Sequence, residues 1–390
     1  MTNIYEQVDS TKNNLVSYRR YIHMHPESGF DTHGTEAFVK KFLNEKGIEI
    51  IHSTVGVMGL IKGKDTEGII ALRADMDALN LNEENNIEYK SQNPGKMHAC
   101  GHDGHTAMLM GAAEIINNNK DKLKNDVLII FQPAEEGPDL GGAIIMLKDL
   151  EESGMIKKIK HIYGQHISTD HELGVVSVKY GSVMSSTDEF TIEIIGKGGH
   201  AGIPQKAIDA ISVSAKFITE MESFMSRRID PFDPAVFSVG MINAGSAKNI
   251  IAEAATISGT IRCQSEYNRK LILDSMENIL KGICLYSGAS YKLDILHGLP
   301  VLVADDNTMD IAKNIAYEVV GTDNVVIANK SSMGAEDFAY FAQKIPGAFV
   351  WLGARNEQKG FVNLMHNPKF DFDEDVLSIG VKMFCGFAFQ

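Results

Sequence analysis

Apolar residues recur at helical spacing near the start of the chain, with Ile4, Val8, Leu15 and Ile22 falling on one face. The spacing predicts an amphipathic helix that stops at His25-Pro26, because proline disfavours helical geometry in the residue before it. A second helix is expected from Thr35 to Lys46, ended by Gly47. From there apolar runs and amphipathic stretches alternate. GIIALRADMDAL, VLIIFQPAEEG and KIKHIYGQHIS read as strands running into polar loops, and DGHTAMLMGAAEIINNN and GGAIIMLKDLEES read as helices. Such alternation predicts an α/β sheet flanked by helices, with ligands bound beyond the carboxyl ends of the strands.

Between about Ser186 and Gly298 the rhythm changes. EFTIEIIG alternates with period two, Ile208 to Arg228 is helical, AVFSVGMINAG and ATISGTIRC are successive strands, Arg269 to Ser287 is helical, and YKLDILHG closes the segment. The order βαββαβ is that of a ferredoxin-like split unit. An apolar helix from Met309 to Val320 then returns to the first style. The expected organisation is a discontinuous domain of residues 1–185 and 299–390, built on a helix-flanked mixed sheet, and an inserted domain of residues 186–298.

Composition narrows the classes. A chain of 390 residues suits two cores rather than one. A net charge of -14 argues against a nucleic-acid surface and favours a small-molecule partner. MTNIYEQVDSTKNNL is not a basic segment followed by an apolar one, and no apolar run is long enough to cross a bilayer. The four cysteines, Cys100, Cys263, Cys284 and Cys385, are too scattered for a disulfide framework. A cytoplasmic protein that does not act on membranes is expected.

Four polar clusters follow the apolar runs. Met97-His98-Ala99-Cys100-Gly101-His102-Asp103-Gly104-His105 joins a thiol and imidazoles through a glycine that imposes little steric constraint. Thiolate and imidazole are good ligands for zinc and its neighbours, although a polar loop with a buried thiol reads the same way. Glu135 and Glu136 stand side by side after the VLII run; alone, such a pair is more often a solvated loop, and both ionise readily only near a cation. His166 ends a further apolar run and His366 lies far downstream in Asn363-Leu364-Met365-His366-Asn367-Pro368. Single histidines are usually structural, and His161 and His171 are read so. The remaining cysteines read as core thiols and Asp75 as a salt-bridge or turn residue; Glu336-Asp337 either helps to order the site from behind or caps the helix that comes after it, and the cap is the preferred reading.

Taken in order, MHACGHDGHTAMLMGAA, FQPAEEG, GQHIS, GKGGHAG, MGAEDFAYF and the late Leu-Met-His-Asn resemble the co-catalytic metallopeptidases and amidohydrolases related to aminoacylase and carboxypeptidase G. The match is closest to the subfamily of plant indole-acetyl-amino-acid hydrolases, bacterial hippurate hydrolases and N-acetyl-diaminopimelate deacetylases, and it covers essentially the whole chain. The resemblance implies a lid-like, dimer-forming inserted domain and two divalent metal ions, with Cys100 bridging both, His102 and His166 completing one site and Glu136 and His366 the other. It further implies Glu135 as general base, Asp77 as the aspartate that orients a ligand, and His200 as a histidine that reaches a neighbouring subunit's active site. Asn249 and Arg262 match positions that hold the substrate carboxylate, a role that suits the bidentate fork of an arginine.

The expected reaction is hydrolysis of the amide bond of a small N-acyl amino acid, for which paired divalent ions ease deprotonation of water and polarise the carbonyl. Zinc, manganese, cobalt and nickel all suit a mixed thiolate, imidazole and carboxylate set. Departures from the subfamily pattern fall on the inserted domain, where Gln205 replaces a common histidine and Ala252 a common proline, and bear on substrate choice. The alternatives are a dipeptidase or aminopeptidase on the same scaffold, or a non-catalytic metal-binding relative. A homodimer or higher homo-oligomer is expected if His200 serves a neighbour.

Overall fold

The computed structural model describes residues 1–64, 66–137 and 141–390. The chain begins with α1 (Thr2–Met24), α2 (His33–Glu45), β1 (Glu49–Ile51), β2 (Val57–Ile61), β3 (Ile69–Asp75), α3 (His102–Asn118), β4 (Asp126–Gln132), α4 (Ala143–Glu152), β5 (Ile159–Glu172) and β6 (Val176–Val178). Next come β7 (Gly181–Met184), β8 (Ser186–Ile195), β9 (Gly199–His200), α5 (Ala210–Arg228), β10 (Ala235–Ala244), β11 (Ile250–Ile251), β12 (Ala254–Cys263), α6 (Glu266–Ser287), β13 (Ser290–His297) and β14 (Leu302–Ala304). It closes with α7 (Asp306–Val320), β15 (Val325–Ile327), α8 (Phe338–Ala342), β16 (Gly347–Arg355) and α9 (Val376–Ala388). Two compact units result, one of Met1–Gly181, Val303–Lys330 and Asp337–Gln390, the other of Ser182–Leu302 and Ser331–Glu336.

In the first unit the stripe that predicted α1 is the stripe it buries: Ile4, Val8, Leu15 and Ile22 are all in the core. The helix ends at Met24, as the adjoining His25-Pro26 requires. Gly47, past the end of α2, takes a left-handed φ of 67°. Among the described residues the sheet has eight strands in the order β1-β2-β4-β3-β5-β16-β6-β15. It is mixed: β3 runs parallel to β4 and β5, and β16 parallel to β5, whereas β2 and β6 join antiparallel. Every residue of β3 is buried, as a parallel strand covered on both faces demands. Tyr163 of β5 stacks on Phe387 of α9 and Gln165 donates to the Gly380 carbonyl. Between them Gly164 faces the other way, where an added Cβ would lie 3.0 Å from the ring of Phe338 in α8. Helices therefore cover both faces.

The two central strands differ in reach. β5 outruns β3, whose last pairing is Arg73 with Gly164, so Gln165 onward has no β3 neighbour. His166 lies within β5, opposite Trp351 of β16, and the strand continues to Glu172 rather than ending at the histidine.

The second unit carries the order βαββαβ in an antiparallel sheet β10-β12-β8-β13. Alternate residues of β8, namely Phe190, Ile192 and Ile194, pack with Phe217 and Met221 of α5 and Ile272, Met276 and Leu280 of α6. Both helices start where a cap dictates: Asp209 accepts from the Ile211 N–H, and Ser265 from the Asn268 N–H, so α6 begins ahead of the expected Arg269. All four cysteines are buried and free. No described helix is long and apolar enough to cross a membrane.

Candidate metal centre

The polar clusters meet in the first unit because they continue from the ends of parallel neighbours. β3 leads into Asp77, β4 into Pro133-Ala134-Glu135-Glu136, and β5 carries His166 past the end of β3. Gly101 sits between Cys100 and His102 with φ 96°, a left-handed conformation that sidechain-bearing residues disfavour, and it opens α3. Cys100 and His102 thereby leave the turn as neighbours in space.

Asp77 organises three of the groups. Its carboxylate accepts from the Glu135 and Glu136 amides, each at 3.0 Å, and its main-chain carbonyl accepts from His102 Nδ1 at 2.9 Å. His102 Nε2 is left buried with no hydrogen-bond partner among the described residues. His166 is oriented in the same manner, its Nδ1 donating to the Ile167 carbonyl at 2.7 Å while Nε2 faces Cys100 Sγ at 3.5 Å. His366 arrives from far along the chain, tied down by its own N–H donating to the Ala99 carbonyl at 2.7 Å. Its backbone holds a left-handed φ of 67°, and Nε2 lies 2.9 Å from Glu136 Oε1. Ala134, which precedes the two glutamates, is also left-handed, with φ 57°. Strained backbone at both approaches is what a site held in place by its surroundings shows.

The sets of potential ligand atoms that lie within 4.8 Å of one another include Cys100, His102 and His166; Cys100, Glu136 and His366; and His102, Glu135 and Glu136. Cys100 belongs to the first two. The donor chemistry and the orphaned His102 Nε2 fit divalent cations. So do the electrostatics. Burial first, then Glu136 and Glu135, push the Cys100 thiol well above its usual range, so a thiolate there requires positive charge close by. Burial opposes a charged His102, yet Asp75 and Asp77 raise it to about 10. Burial and His105 drive His166 well down, into the neutral form that ligates. Burial works against ionised Glu136, but His366 and His102 hold it below the usual carboxylate range, and the bond to Glu136 raises His366.

The structure brings Cys100, His102, Glu135, Glu136, His166, His366 and Asp77 together. His200, Asn249 and Arg262 belong to the second unit: His200 lies on β9, where the neighbouring Ala201 N–H donates to the Asn249 carbonyl at 3.1 Å, and Arg262 lies on β12, half-buried. Burial lowers the Arg262 pKa and Glu189 opposes the shift.

The preferred reading of Glu336-Asp337 as a helix cap fails for Asp337. Asp337 stands at the start of α8 but its carboxylate makes no cap. It accepts instead from Arg73 Nη2 at 2.8 Å, from Gln132 Nε2 at 2.7 Å and from the Ala143 amide at 3.1 Å, because a guanidinium buried on β3 needs a counter-charge. Asp75 pairs with Arg73 Nη1 at 2.6 Å, as a salt-bridge reading anticipates, but it also binds His105. From the sequence alone, His105 and Arg73 stood without a role. Their signals were a histidine one helical turn beyond His102 and a charge inside an otherwise apolar strand run.

Residues 71–390 match the model of peptidase family M20/M25/M40. The chain is 37% identical over 370 residues to thermostable carboxypeptidase 2 of Saccharolobus solfataricus, covering 94% of this chain and 92% of that protein. It is 36% identical over 381 residues to N-acetylcysteine deacetylase of Bacillus subtilis, covering 96% of each. The crystal structure of the Bacillus subtilis YXEP protein, described as a dinuclear metal binding peptidase from the M20 family, superposes with a TM-score of 0.83 at 32% identity, covering 98% of both chains.

Proposed function

The chain belongs to peptidase family M20/M25/M40 and is a hydrolase, and on that premise we propose that it is a two-metal amidohydrolase that cleaves the amide bond of N-acyl amino acids. The observation that carries this reading is the sharing of Cys100 between two ligand sets. Cys100, His102 and His166 would hold one divalent cation, and Cys100, Glu136 and His366 a second. Bound there, the cations supply Lewis-acid polarisation of the scissile carbonyl and make water easier to deprotonate.

The protein's own part derives from what holds each group. Glu135 takes the proton of the attacking water and returns it to the departing amine, with its amide fixed by Asp77 so that the carboxylate starts from a set position. Asp77 orients His102 through its main chain and Glu136 through its side chain, so one residue sets the angle of a ligand in each site. His200 donates to the developing oxyanion, and Asn249 and Arg262 hold the substrate carboxylate. The second unit acts as lid and as the contact between copies in a homo-oligomer. Four buried free thiols suit a reducing compartment such as the cytoplasm.

Similarity to a carboxypeptidase favours a second reading, peptide hydrolysis on the same scaffold. A panel of acetyl-, benzoyl-, indole-acetyl- and succinyl-amino acids beside free dipeptides, assayed with zinc, manganese, cobalt and nickel, separates the two. Turnover of N-acyl substrates, abolished by chelation, is expected. Glu135→Gln should lower kcat by about 10²–10⁴-fold with metal content unchanged. Turnover of free dipeptides alone would overturn the amidohydrolase reading, and full activity in Glu135→Gln would overturn the assigned base.

A further inference from the structure

The hydrogen bonds beneath His166 form an ordered chain that the proposed reaction does not use. Arg73 Nη1 donates to Asp75 Oδ2 at 2.6 Å, Asp75 Oδ1 lies 2.6 Å from His105 Nδ1, and the Ile167 N–H donates to His105 Nε2 at 2.9 Å. An amide N–H can only donate, so His105 Nε2 carries no proton and Nδ1 carries the one given to Asp75. The other side of the same residue completes the chain, since the Ile167 carbonyl accepts from His166 Nδ1 at 2.7 Å. Arg73, Asp75, His105 and His166 are all buried.

We propose that Asp75 and His105 are positioning residues that set the hold of His166 on its cation by clamping the Ile167 peptide. The inference rests on the two-cation reading of the centre. The clamp is needed because pairing between β3 and β5 stops at Gly164, so no ladder from that side fixes the backbone at Ile167, and His105 supplies the missing acceptor. The His105 ring also stands edge-on to that of His166, with centroids 4.5 Å apart and planes at 72°, which restricts rotation of the ligand ring. Asp75 is itself anchored twice: Arg73 holds its carboxylate, and the Thr106 hydroxyl donates to its carbonyl at 2.7 Å. Asp75, His102 and His105 also lie close enough together to suggest a metal site of their own. Their geometry argues otherwise, because the Nδ1 atoms of both histidines are committed, His102 to the Asp77 carbonyl and His105 to Asp75.

The test is calorimetric titration of metal-free protein with cobalt(II), read beside the cobalt–thiolate absorption band and the thermal midpoint. In His105→Leu the affinity for one of the two ions should fall on the order of 10–100-fold while the other changes by less than about threefold. His105→Gln should restore most of the loss, since its carbonyl can accept from Ile167 while its amide donates to Asp75. Asp75→Asn should weaken the same ion. Should His105→Leu fail to fold, the Gln and Asn variants decide the matter by the same comparison. Wild-type affinity for both ions in folded His105→Leu, or equal weakening of both ions that Gln does not repair, overturns the clamp. Uptake of only one ion by the wild type would instead overturn the two-cation reading.

Discussion

Replacing Asp77 with asparagine changes no volume and yet should separate the two halves of the centre. Two amide N–H groups now point at a carboxylate, each at 3.0 Å. Hydrogen bonds to a charged acceptor contribute about 1.5–3 kcal/mol each, and a neutral one about 0.5–1.5 kcal/mol. The asparagine oxygen keeps one bond at neutral strength, and its NH2 group faces the other N–H, donor against donor. The net loss is about 2–4 kcal/mol. His102 keeps its hydrogen bond to the main-chain carbonyl of residue 77, which the substitution leaves in place, and loses only the carboxylate charge 3.5 Å from its Nδ1. The unfolding free energy of metal-free Asp77→Asn, from urea titration, should therefore fall by about 2–4 kcal/mol. In calorimetric metal titration the ion served by Glu136 and His366 should bind at least about tenfold more weakly, with the ion at His102 and His166 weakened clearly less. Loss of both ions together, or a variant as stable as the wild type, would refute the idea that Asp77 acts on one side through its side chain and on the other through its backbone.

Two glycines near the ligands should fail for different reasons. Gly101→Ala meets only ordinary contacts, the nearest being Ile167 Cβ at 3.5 Å, but its φ of 96° is left-handed, so about 1–2 kcal/mol of backbone strain is expected. Gly104→Ala has ordinary helical backbone, but its Cβ would stand 2.6 Å from Ile167 Cδ1 and 2.7 Å from Phe372 Cζ, an overpacking cost of about 1–3 kcal/mol. Trimming Ile167 to valine removes Cδ1 and should rescue Gly104→Ala in part in urea unfolding, the Phe372 contact remaining, and leave Gly101→Ala unrescued; the reverse pattern would contradict both assignments. In the acid range, burial opposes ionised Glu83, but His23 and the Ser91 amide hold its carboxyl below the usual value. A depressed folded pKa gives stability that is present above the unfolded value and lost as pH falls through the folded one. Glu83→Gln should accordingly flatten the fall in stability below about pH 5, and an unchanged slope would remove Glu83 as a cause.

Local chemistry was legible because its causes are local. The stripe of Ile4, Val8, Leu15 and Ile22, the proline after His25 and the glycine after Lys46 act within a turn or two, and the corresponding elements appear with ends shifted by a few residues. The shifts at α5 and α6 trace to Asp209 and Ser265, caps that periodicity alone does not weigh. The order of strands and polar clusters also carried the outline of the centre, since parallel strands align their carboxyl ends. Which groups meet across long stretches of chain was decided only by the tertiary structure. His366 reaches Glu136 through a left-handed turn tied to Ala99, Asp337 abandons its cap for a guanidinium buried on β3, and His105 matters because β5 outlasts β3. The last two depend on burial, which raises the cost of an unpaired charge or amide until a distant partner outweighs the local one. Periodicity and motifs set the elements and the donor types, and the packed interior decided which distant groups those donors would face.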